Sequence, residues 1–441
     1  MNVDEIKNNK LRTIMMFSLP SIIAMLLETV ITITDGFFTG NYVGEKALAA
    51  INLGLPILYF YLGIGLCVGV GGTVICGRLL GSGDKSKASA VFTQTIVCAV
   101  AICCVISVIV AMLFSPVLKL LRADGNLALY FTGYYKVMLF CYPLMVVGTI
   151  LGMFIRVDGK PQICMFVSIV GCVLNAVLDY ILMARFGMGI FGSAVGSLIV
   201  QVLTVAVQLA YFLRPAADIR FTKFSFDKPV LKETIFNGSS EFVGEMASAI
   251  CMFAFNFVLM KYVGVEGVAA LSILGFTVYG YNMITIGFGQ GLTALVSFLW
   301  GANEKQTAVD LRKITNKILF AIGTLFAVVF LLFGRKYAGT FGCGDDVAEM
   351  VSAGFRFYAV AFIIMGYDVI NSMYFTSCGD AASSALLSIL RGIVFLLIFT
   401  FIFPAIWGMN GFWLVTPTTE ALTSIVSFFL ILRQNRVLKA I

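Results

Sequence analysis

The 441-residue sequence contains no histidine, which excludes the side chain that most often shuttles protons near neutral pH and binds zinc. Charge is also scarce, at 12% charged against 60% hydrophobic residues. A soluble domain needs more charge than this to cover its surface, so that class of protein is excluded. None of the 11 cysteines forms a Cys-x-x-Cys pair. Most lie in apolar runs, where they indicate small buried side chains and not disulfides or metal ligands.

Long apolar runs are what the sequence has instead, most of them near or above the roughly 20 residues that cross a bilayer as a helix. The polar start "MNVDEIKNNKLR" leads directly into a run too long for the core of a cleavable signal. The sequence therefore predicts an all-α polytopic protein of the cell (inner) membrane. Twelve spans are predicted, at 14–39, 48–76, 89–121, 127–155, 162–183, 190–214, 234–262, 268–298, 314–337, 350–377, 384–406 and 411–432.

The distribution of Lys and Arg orients these spans. Most lie near the termini and on the even-numbered connections, as do Arg78, Lys85 and Lys232, whereas few, such as Arg122 and Arg185, lie on the other side. Because Lys and Arg favour the cytoplasmic side, both termini are predicted to be cytoplasmic. The net charge of +7 follows from this topology, so we expect no nucleic-acid partner.

The chain repeats itself at a shift of 220 residues. "YVGEKALAA" (42–50) then aligns with "YVGVEGVAA" (262–270), and "LLGSGDKSKA" (79–88) with "LWGANEKQTA" (299–308). Six spans per repeat place both copies in the same orientation. We therefore predict two six-helix bundles related by a pseudo-two-fold axis along the membrane normal, with a cleft between them. The predicted domains are an N-terminal lobe (1–213), a cytoplasmic linker (214–229) and a C-terminal lobe (230–441). Such an arrangement is typical of transporters that work by alternating access.

Acidic residues within the spans are the candidate functional groups, because carboxylates are expensive in a membrane and seldom lie there without a function. Glu28, Thr32 and Asp35 form one stripe on the first span, and Asn175 and Asp179 are one turn apart on the fifth. Asp35 and Asp179 both precede the predicted outer ends, so we expect them at similar depth. Two such acids close together hold a proton between them, and Asn175 can donate to the ionised one.

The repeat offers a comparison for this group. Asp35 aligns with Phe255, and at a shift of one more residue Asp179 aligns with Thr400. A residue that the fold itself requires would be expected in both copies of the repeat. The absence of both acids from the second copy therefore favours a functional role for Asp35 and Asp179. The alternative for Asp179 is that it caps or solvates a helix end.

The second lobe carries its own acids. Glu241 and Glu245 form a stripe on the seventh span, and Asp368 lies on the tenth. Carboxylates suit Na⁺ or a cationic substrate equally well, and ion pairing with Arg391 is the alternative. Lys136 and Arg356 occupy equivalent repeat positions and are interpreted as architectural.

In its motifs the chain resembles the multidrug and toxic compound extrusion (MATE) family. The motifs are "SLPSII", the Asp35–Gly36 and Gly40 pattern, "ALAAINLGLPI", "RLLGSGD", "RVDGKP" and "NAVLD", over roughly residues 12–435. The resemblance implies two six-helix bundles and drug extrusion driven by H⁺ or Na⁺. It implies a cation site formed by Asp35, Asn175, Asp179 and the hydroxyl of Ser197, and a bend of the first helix at Pro20.

One feature departs from the family pattern. Where sodium-coupled relatives carry a glutamate on the seventh helix, this chain has Ser248, and its acids are Glu241 and Glu245. This departure argues against a second-lobe Na⁺ site. The expected coupling ion is H⁺ in preference to Na⁺, with Na⁺ as the alternative, and no other cofactor or metal is expected.

The predicted function is antiport that exports amphipathic, mainly cationic drugs, by a monomer surrounded by lipid, and not an enzymatic reaction. A lipid-linked-sugar flippase of the same superfamily is the main alternative, although it would need a basic cleft. An intramembrane aspartyl protease is a remote one, because "GCGD" (342–345) and "GYD" (366–368) occur in the reverse of the required order.

Overall fold

A computed structural model describes residues 1–120 and 125–440, so Arg122 lies outside the described residues. Long helices dominate it, joined by short connections. The helices are α1 (Val3–Asn8), α2 (Lys10–Tyr42), α3 (Glu45–Leu53), α4 (Leu55–Gly81), α5 (Lys85–Met112), α6 (Phe114–Leu120), α7 (Asn126–Val157), α8 (Pro161–Asp179), α9 (Gly189–Phe212), α10 (Lys228–Tyr262), α11 (Val265–Gly301), α12 (Lys305–Gly339), α13 (Asp345–Cys378), α14 (Ala381–Ile389) and α15 (Phe395–Ala440), with π-helical turns at Tyr180–Arg185 and Leu390–Val394.

Within the described residues, 11 helical stretches are long and apolar enough to cross a membrane. The last of them, Ala381–Leu438, holds the two final predicted spans, because Gly408 (φ 56°, ψ −133°) breaks α15. The prediction of an all-α polytopic membrane protein is therefore confirmed.

The second predicted span is not one continuous helix. It was predicted to run unbroken over 48–76, but α3 ends at Leu53 and α4 begins at Leu55. Pro56, in the first turn of α4, lacks an N–H group and interrupts the helical hydrogen bonds there. Tyr135 packs against this break. Its hydroxyl donates to the Ile51 carbonyl at 2.7 Å, and its ring lies where a Cβ atom of Gly54 would be. The apolar run alone could not show this packing.

The backbone repeats as the sequence does. Gly159 (φ 89°) and Gly379 (φ 80°) end equivalent helices in the left-handed region, which favours glycine. Gly187 (φ 64°) and Gly408 (φ 56°) likewise occupy equivalent corners. The two halves therefore share their turn conformations as well as their motifs.

Contacts divide the chain into a first unit, Leu19–Gly238 with Met1, and a second unit, Asn2–Ser18 with Ser239–Ile441. The boundaries fall inside α2 and α10, so the first segment of each of these helices belongs to the opposite unit from the remainder. The contacts thus assign two segments differently from the predicted lobes 1–213 and 230–441. The linker 214–229 falls wholly within the first unit.

Two equivalent glycines pack against these first segments of α10 and α2, which are called the crossing segments below. In the first unit, a Cβ atom at Gly71 would lie 1.9 Å from the Thr234 carbonyl oxygen of α10. In the second unit, a Cβ atom at Gly291 would lie 2.8 Å from Ser18 Oγ of α2. Only a residue without a side chain allows backbones to approach this closely. Gly71 and Gly291 align at the repeat shift of 220. Equivalent glycines therefore hold the start of a helix in each unit.

Several hydrogen bonds hold the linker 214–229 against the remainder of the first unit. The Asp158 carboxylate accepts the backbone N–H groups of Asp218 at 3.1 Å and Ile219 at 3.2 Å, and the Tyr211 hydroxyl donates to its other oxygen. Gln94 forms two hydrogen bonds with the backbone of Asp227, at 2.8 and 3.1 Å. The linker is therefore an ordered part of the first unit.

Candidate functional site

The first-unit acids meet at the end of α8. Asp179 is its last residue, is fully buried, and precedes the π-helical turn Tyr180–Arg185. Its carboxyl group lies close enough to that of Asp35 on α2 to interact with it, and Asn175 also lies beside Asp35. The structure thus brings together three residues that lie far apart in the chain.

The hydrogen-bond donors available to the Asp35–Asp179 pair determine its chemistry. Within the described residues, no N–H or O–H group donates to either oxygen of Asp179. An ionised carboxylate only accepts, so a hydrogen bond between Asp35 and Asp179 requires that one of them carry a proton. Two facing carboxylates without a donor also repel each other strongly in a buried place. The arrangement suits a group that takes up and releases one cation.

Ser197, the fourth predicted member, has no hydrogen-bond partner among the described residues. The part of α9 that approaches the carboxyl is Gly196, where an added Cβ atom would lie 3.2 Å from Asp179 Oδ1. Ser193, one turn earlier on that face, is buried and its hydroxyl is unpartnered within the described chain. Both serines occur in "GSAVGS", and the structure places Ser193 on the face towards Asp179.

Tyr134 on α7 is a neighbour that sequence reasoning missed. It is buried and lies close enough to Asp35 and Asp179 to interact electrostatically with both. Spacing within one helix could not reveal it, because the residue belongs to a third helix.

The other first-lobe candidates lie apart from this group. Glu28 and Thr32 are exposed, and the Thr32 hydroxyl donates to the Glu28 carbonyl of its own helix at 3.1 Å. Pro20 lies inside α2, directly after the residue at which the chain passes between units. Proline lacks an N–H group and weakens the helix there, which fits the predicted bend.

The second-unit acids separate into two groups. Glu241 and Glu245 are half-buried neighbours of each other on α10. Asp368 is 1% exposed and accepts the Ser424 hydroxyl at 2.8 Å. No acid of α10 is among the electrostatic neighbours described for Asp368. The structure therefore does not assemble the three predicted residues into one cluster.

Asp368 instead adjoins a partly buried ion pair. The Arg391 Nε atom donates to both carboxylate oxygens of Glu420, at 2.8 and 3.0 Å, and Glu420 is also a hydrogen-bonding neighbour of Asp368. Arg391 lies in the π-helical turn Leu390–Val394, a feature that recurs at functional sites. Glu420 lies within the predicted span 411–432 and Arg391 within the span 384–406, so spacing along one helix could not pair them.

The protease motif does not form a site. Asp345, at the start of α13, is 97% exposed, whereas Asp368 is buried in the same helix. At roughly 1.5 Å rise per residue, the two lie about 35 Å apart along the axis. They cannot act together on one peptide bond.

Comparison with known proteins identifies the family to which this architecture belongs. A family model described as MatE matches residues 20–181 and 242–402, once in each repeat. The chain belongs to the MatE family. This MatE protein is 25% identical over 411 residues to the multidrug export protein MepA of Staphylococcus aureus (strain MSSA476), covering 92% of this chain and 90% of that one. It is also 25% identical to MepA of Staphylococcus saprophyticus, over 96% and 95% of the two chains.

Solved MATE structures share the fold. A MATE transporter in complex with MaL6 superposes on this MatE protein with a TM-score of 0.92, 22% identity and 97% of each chain covered. An outward-facing multidrug resistance transporter of the MOP superfamily gives 0.91, at 22% identity and 97% and 96% coverage. The predicted family and fold class are thereby confirmed.

Proposed function

We propose that this MatE protein is a cation-coupled antiporter of the inner membrane, with both termini cytoplasmic, that exports amphipathic and mainly cationic small molecules by alternating access. The observation that carries the proposal is the pairing of the half-buried Asp35 with the buried Asp179, with Asn175 beside them. Such a pair is costly to keep in a membrane unless its charge changes during a transport cycle. The multidrug export relatives support an exporter over a lipid-linked-sugar flippase.

Protons are the proposed coupling ion. A shared proton satisfies two facing carboxyl groups at once, whereas Na⁺ needs several further oxygen ligands. The equivalent repeat positions carry Phe255, Leu396 and Thr400, so only the first unit has this group. Binding of a proton there biases one conformation of the transporter, which couples the gradient to export.

Cationic cargo is proposed from the second-unit acids. Asp368 and Glu420 share a single guanidinium, that of Arg391, so this cluster can carry net negative charge. Glu241 and Glu245 add two half-buried carboxyl groups. Negative potential raises the local concentration of cations.

Transport by purified protein in proteoliposomes tests the proposal. A pH gradient and a Na⁺ gradient are imposed separately, and efflux of a cationic dye and of a neutral dye is followed. We expect the pH gradient to drive efflux of the cationic dye more strongly than of the neutral one. Efflux driven by Na⁺ alone would contradict proton coupling, and equal efflux of both dyes would contradict the cationic preference.

A further inference from the structure

A buried arginine in the second unit has no acidic partner. Arg312 on α12 is 3% exposed, and among the described residues no carboxylate lies within 4.0 Å of its guanidinium. Its nearest polar partner is the Asn371 carboxamide oxygen on α13, at 3.2 Å from Nη1. Its Nε atom has no hydrogen-bond partner in the described chain. A buried charge without a counter-charge is strongly unfavourable, so the missing partner requires an explanation.

The groups around Arg312 include amide N–H donors as well as acceptors. Asn316 Nδ2 donates to the Asn371 oxygen that Arg312 uses, at 3.2 Å, and the Asn371 Nδ2 group has no hydrogen-bond partner in the described chain. The guanidinium carbon lies 4.9 Å from the centre of the Tyr374 ring. The Tyr374 hydroxyl adjoins only a thiol, that of Cys378, which is a weak partner. Positive charge and free N–H groups thus converge in one buried place, where Asn316 Oδ1 and the Tyr374 hydroxyl are the acceptors that no described hydrogen bond uses.

The fold itself does not require this charge. At the repeat shift, Arg312 aligns with Phe92 and Tyr374 with Phe154. In the first unit these two phenylalanines pack with ring centres 4.9 Å apart, and both are fully buried. Asn316 and Asn371 align with Ile96 and Leu151, which are also apolar. One copy of the repeat thus fills this place with hydrocarbon, and the other fills it with a cation and amides.

We propose that Arg312, Asn316, Asn371 and Tyr374 form a binding site for one small monovalent anion of the chloride class, held by guanidinium and amide N–H groups. The ion supplies the negative charge that Arg312 lacks. A small monovalent ion fits best, because the surrounding side chains are buried and an ion there must shed its water, which penalises multiply charged anions more.

Thermal unfolding of the purified protein tests the site. The midpoint is measured as sodium chloride replaces sodium gluconate at constant sodium concentration and pH. We expect a saturable rise of the midpoint with chloride in the wild type and in Arg356→Gln, which removes an exposed arginine of α13. Arg312→Gln should abolish the rise, and Arg312→Lys should retain part of it. No difference between the two anions in the wild type, or an unchanged rise in Arg312→Gln, would overturn the proposal.

The first copy of the repeat provides a control for whether the variant folds. If Arg312→Gln does not fold, the double variant Arg312→Phe with Tyr374→Phe copies the contact of the first unit, and it should fold without chloride dependence. Crystals grown in bromide should show an anomalous peak against the Arg312 guanidinium. A peak at another position only, with none at Arg312, would reject the site.

Discussion

At the scale of single residues, the buried charges differ in how they are compensated. Asp35 and Asp179 face each other with Asn175 beside them, whereas Glu420 has a full opposite charge in Arg391. The first arrangement favours a change of protonation, and the second favours a permanent ion pair. The acids therefore divide into a group suited to coupling and a group suited to holding helices together.

Site residues could be predicted to lie together where their spacing along one helix places them on the same face. Asn175 and Asp179 lie on one face of α8, and Asp35 was placed at their depth from its distance to the end of its span. Partners on separate helices, such as Arg391 with Glu420, were not paired in advance. Ser197 was inferred from resemblance, and the structure instead turns Gly196 towards Asp179. One residue along a helix rotates a side chain by about 100°, so motif matching alone cannot fix its direction.

Loss of Glu420 should destabilise the second unit. In Glu420→Gln the Arg391 guanidinium keeps an amide oxygen but loses its counter-charge. We expect a loss of about 2 kcal/mol in the free energy of unfolding, within the range for hydrogen bonds to charged groups. The measurement is the thermal midpoint in detergent, with Glu241→Gln as the matched control, since no hydrogen bond of that side chain is described. A larger loss in the control would show that the Arg391 pair contributes little.

At the scale of elements, glycine and proline positions determine where helices end. The break at Gly54 was not predicted, because hydropathy describes how apolar a stretch is and not whether it is continuous. The predicted separation of the spans 384–406 and 411–432 agrees with the corner at Gly408. Gly408 has no atom within 4 Å of the place where a Cβ would be, so its requirement is conformational and not steric. The local backbone, rather than packing, selects glycine there.

Gly408→Ala tests this requirement. At φ 56° and ψ −133° an alanine is strained, by roughly 1–3 kcal/mol. We expect a lower midpoint of thermal unfolding. Gly275→Ala on α11 also meets no atom within 4 Å but lies in regular helix, so it should leave stability unchanged or raise it. Equal effects of the two substitutions would contradict a conformational role for Gly408.

The linker gives a second prediction at this scale. Burial raises the pKa of the Asp158 carboxyl, although the hydrogen bond from Tyr211 opposes this. The folded state therefore binds this proton more tightly than the unfolded state, and stability falls as pH rises through the raised pKa. Asp158→Asn keeps an acceptor for the Asp218 and Ile219 N–H groups but cannot ionise. It should lose this pH dependence and keep the linker in place.

Limited proteolysis distinguishes the two roles of Asp158. In Asp158→Ala both linker N–H groups lose their acceptor, so we expect faster cleavage within 214–229 than in the wild type or in Asp158→Asn. Thermal unfolding measured across acidic pH provides the second readout. Protection of the linker in Asp158→Ala would show that Gln94 and the other contacts suffice.

At the scale of the whole molecule, the repeat was the most informative feature of the sequence. It indicated two equivalent halves, and the shift of 220 residues aligns Gly71 with Gly291. What approaches each glycine could not be predicted, because the crossing segments of α10 and α2 come from distant parts of the chain. Sequence order assigns a helix to one lobe, whereas packing divides α2 and α10 between units.

The last prediction concerns coupling by the whole transporter. Asp35→Asn resembles a permanently protonated Asp35, since the amide is neutral and can still hydrogen-bond with Asp179. It should fold, insert and bind dye like the wild type, yet fail to accumulate or expel dye against a gradient when a pH gradient is imposed. Because Asp35→Glu keeps a titratable group, it should retain part of the activity.

Asp346→Asn, which neutralises an exposed acid at the start of α13, is the matched control for this prediction. Drug resistance of cells is compared at equal membrane abundance, together with dye efflux from proteoliposomes. Undiminished resistance in Asp35→Asn would show that another residue couples the proton, and equal losses in the Asn and Glu variants would indicate that the position serves packing rather than proton transfer.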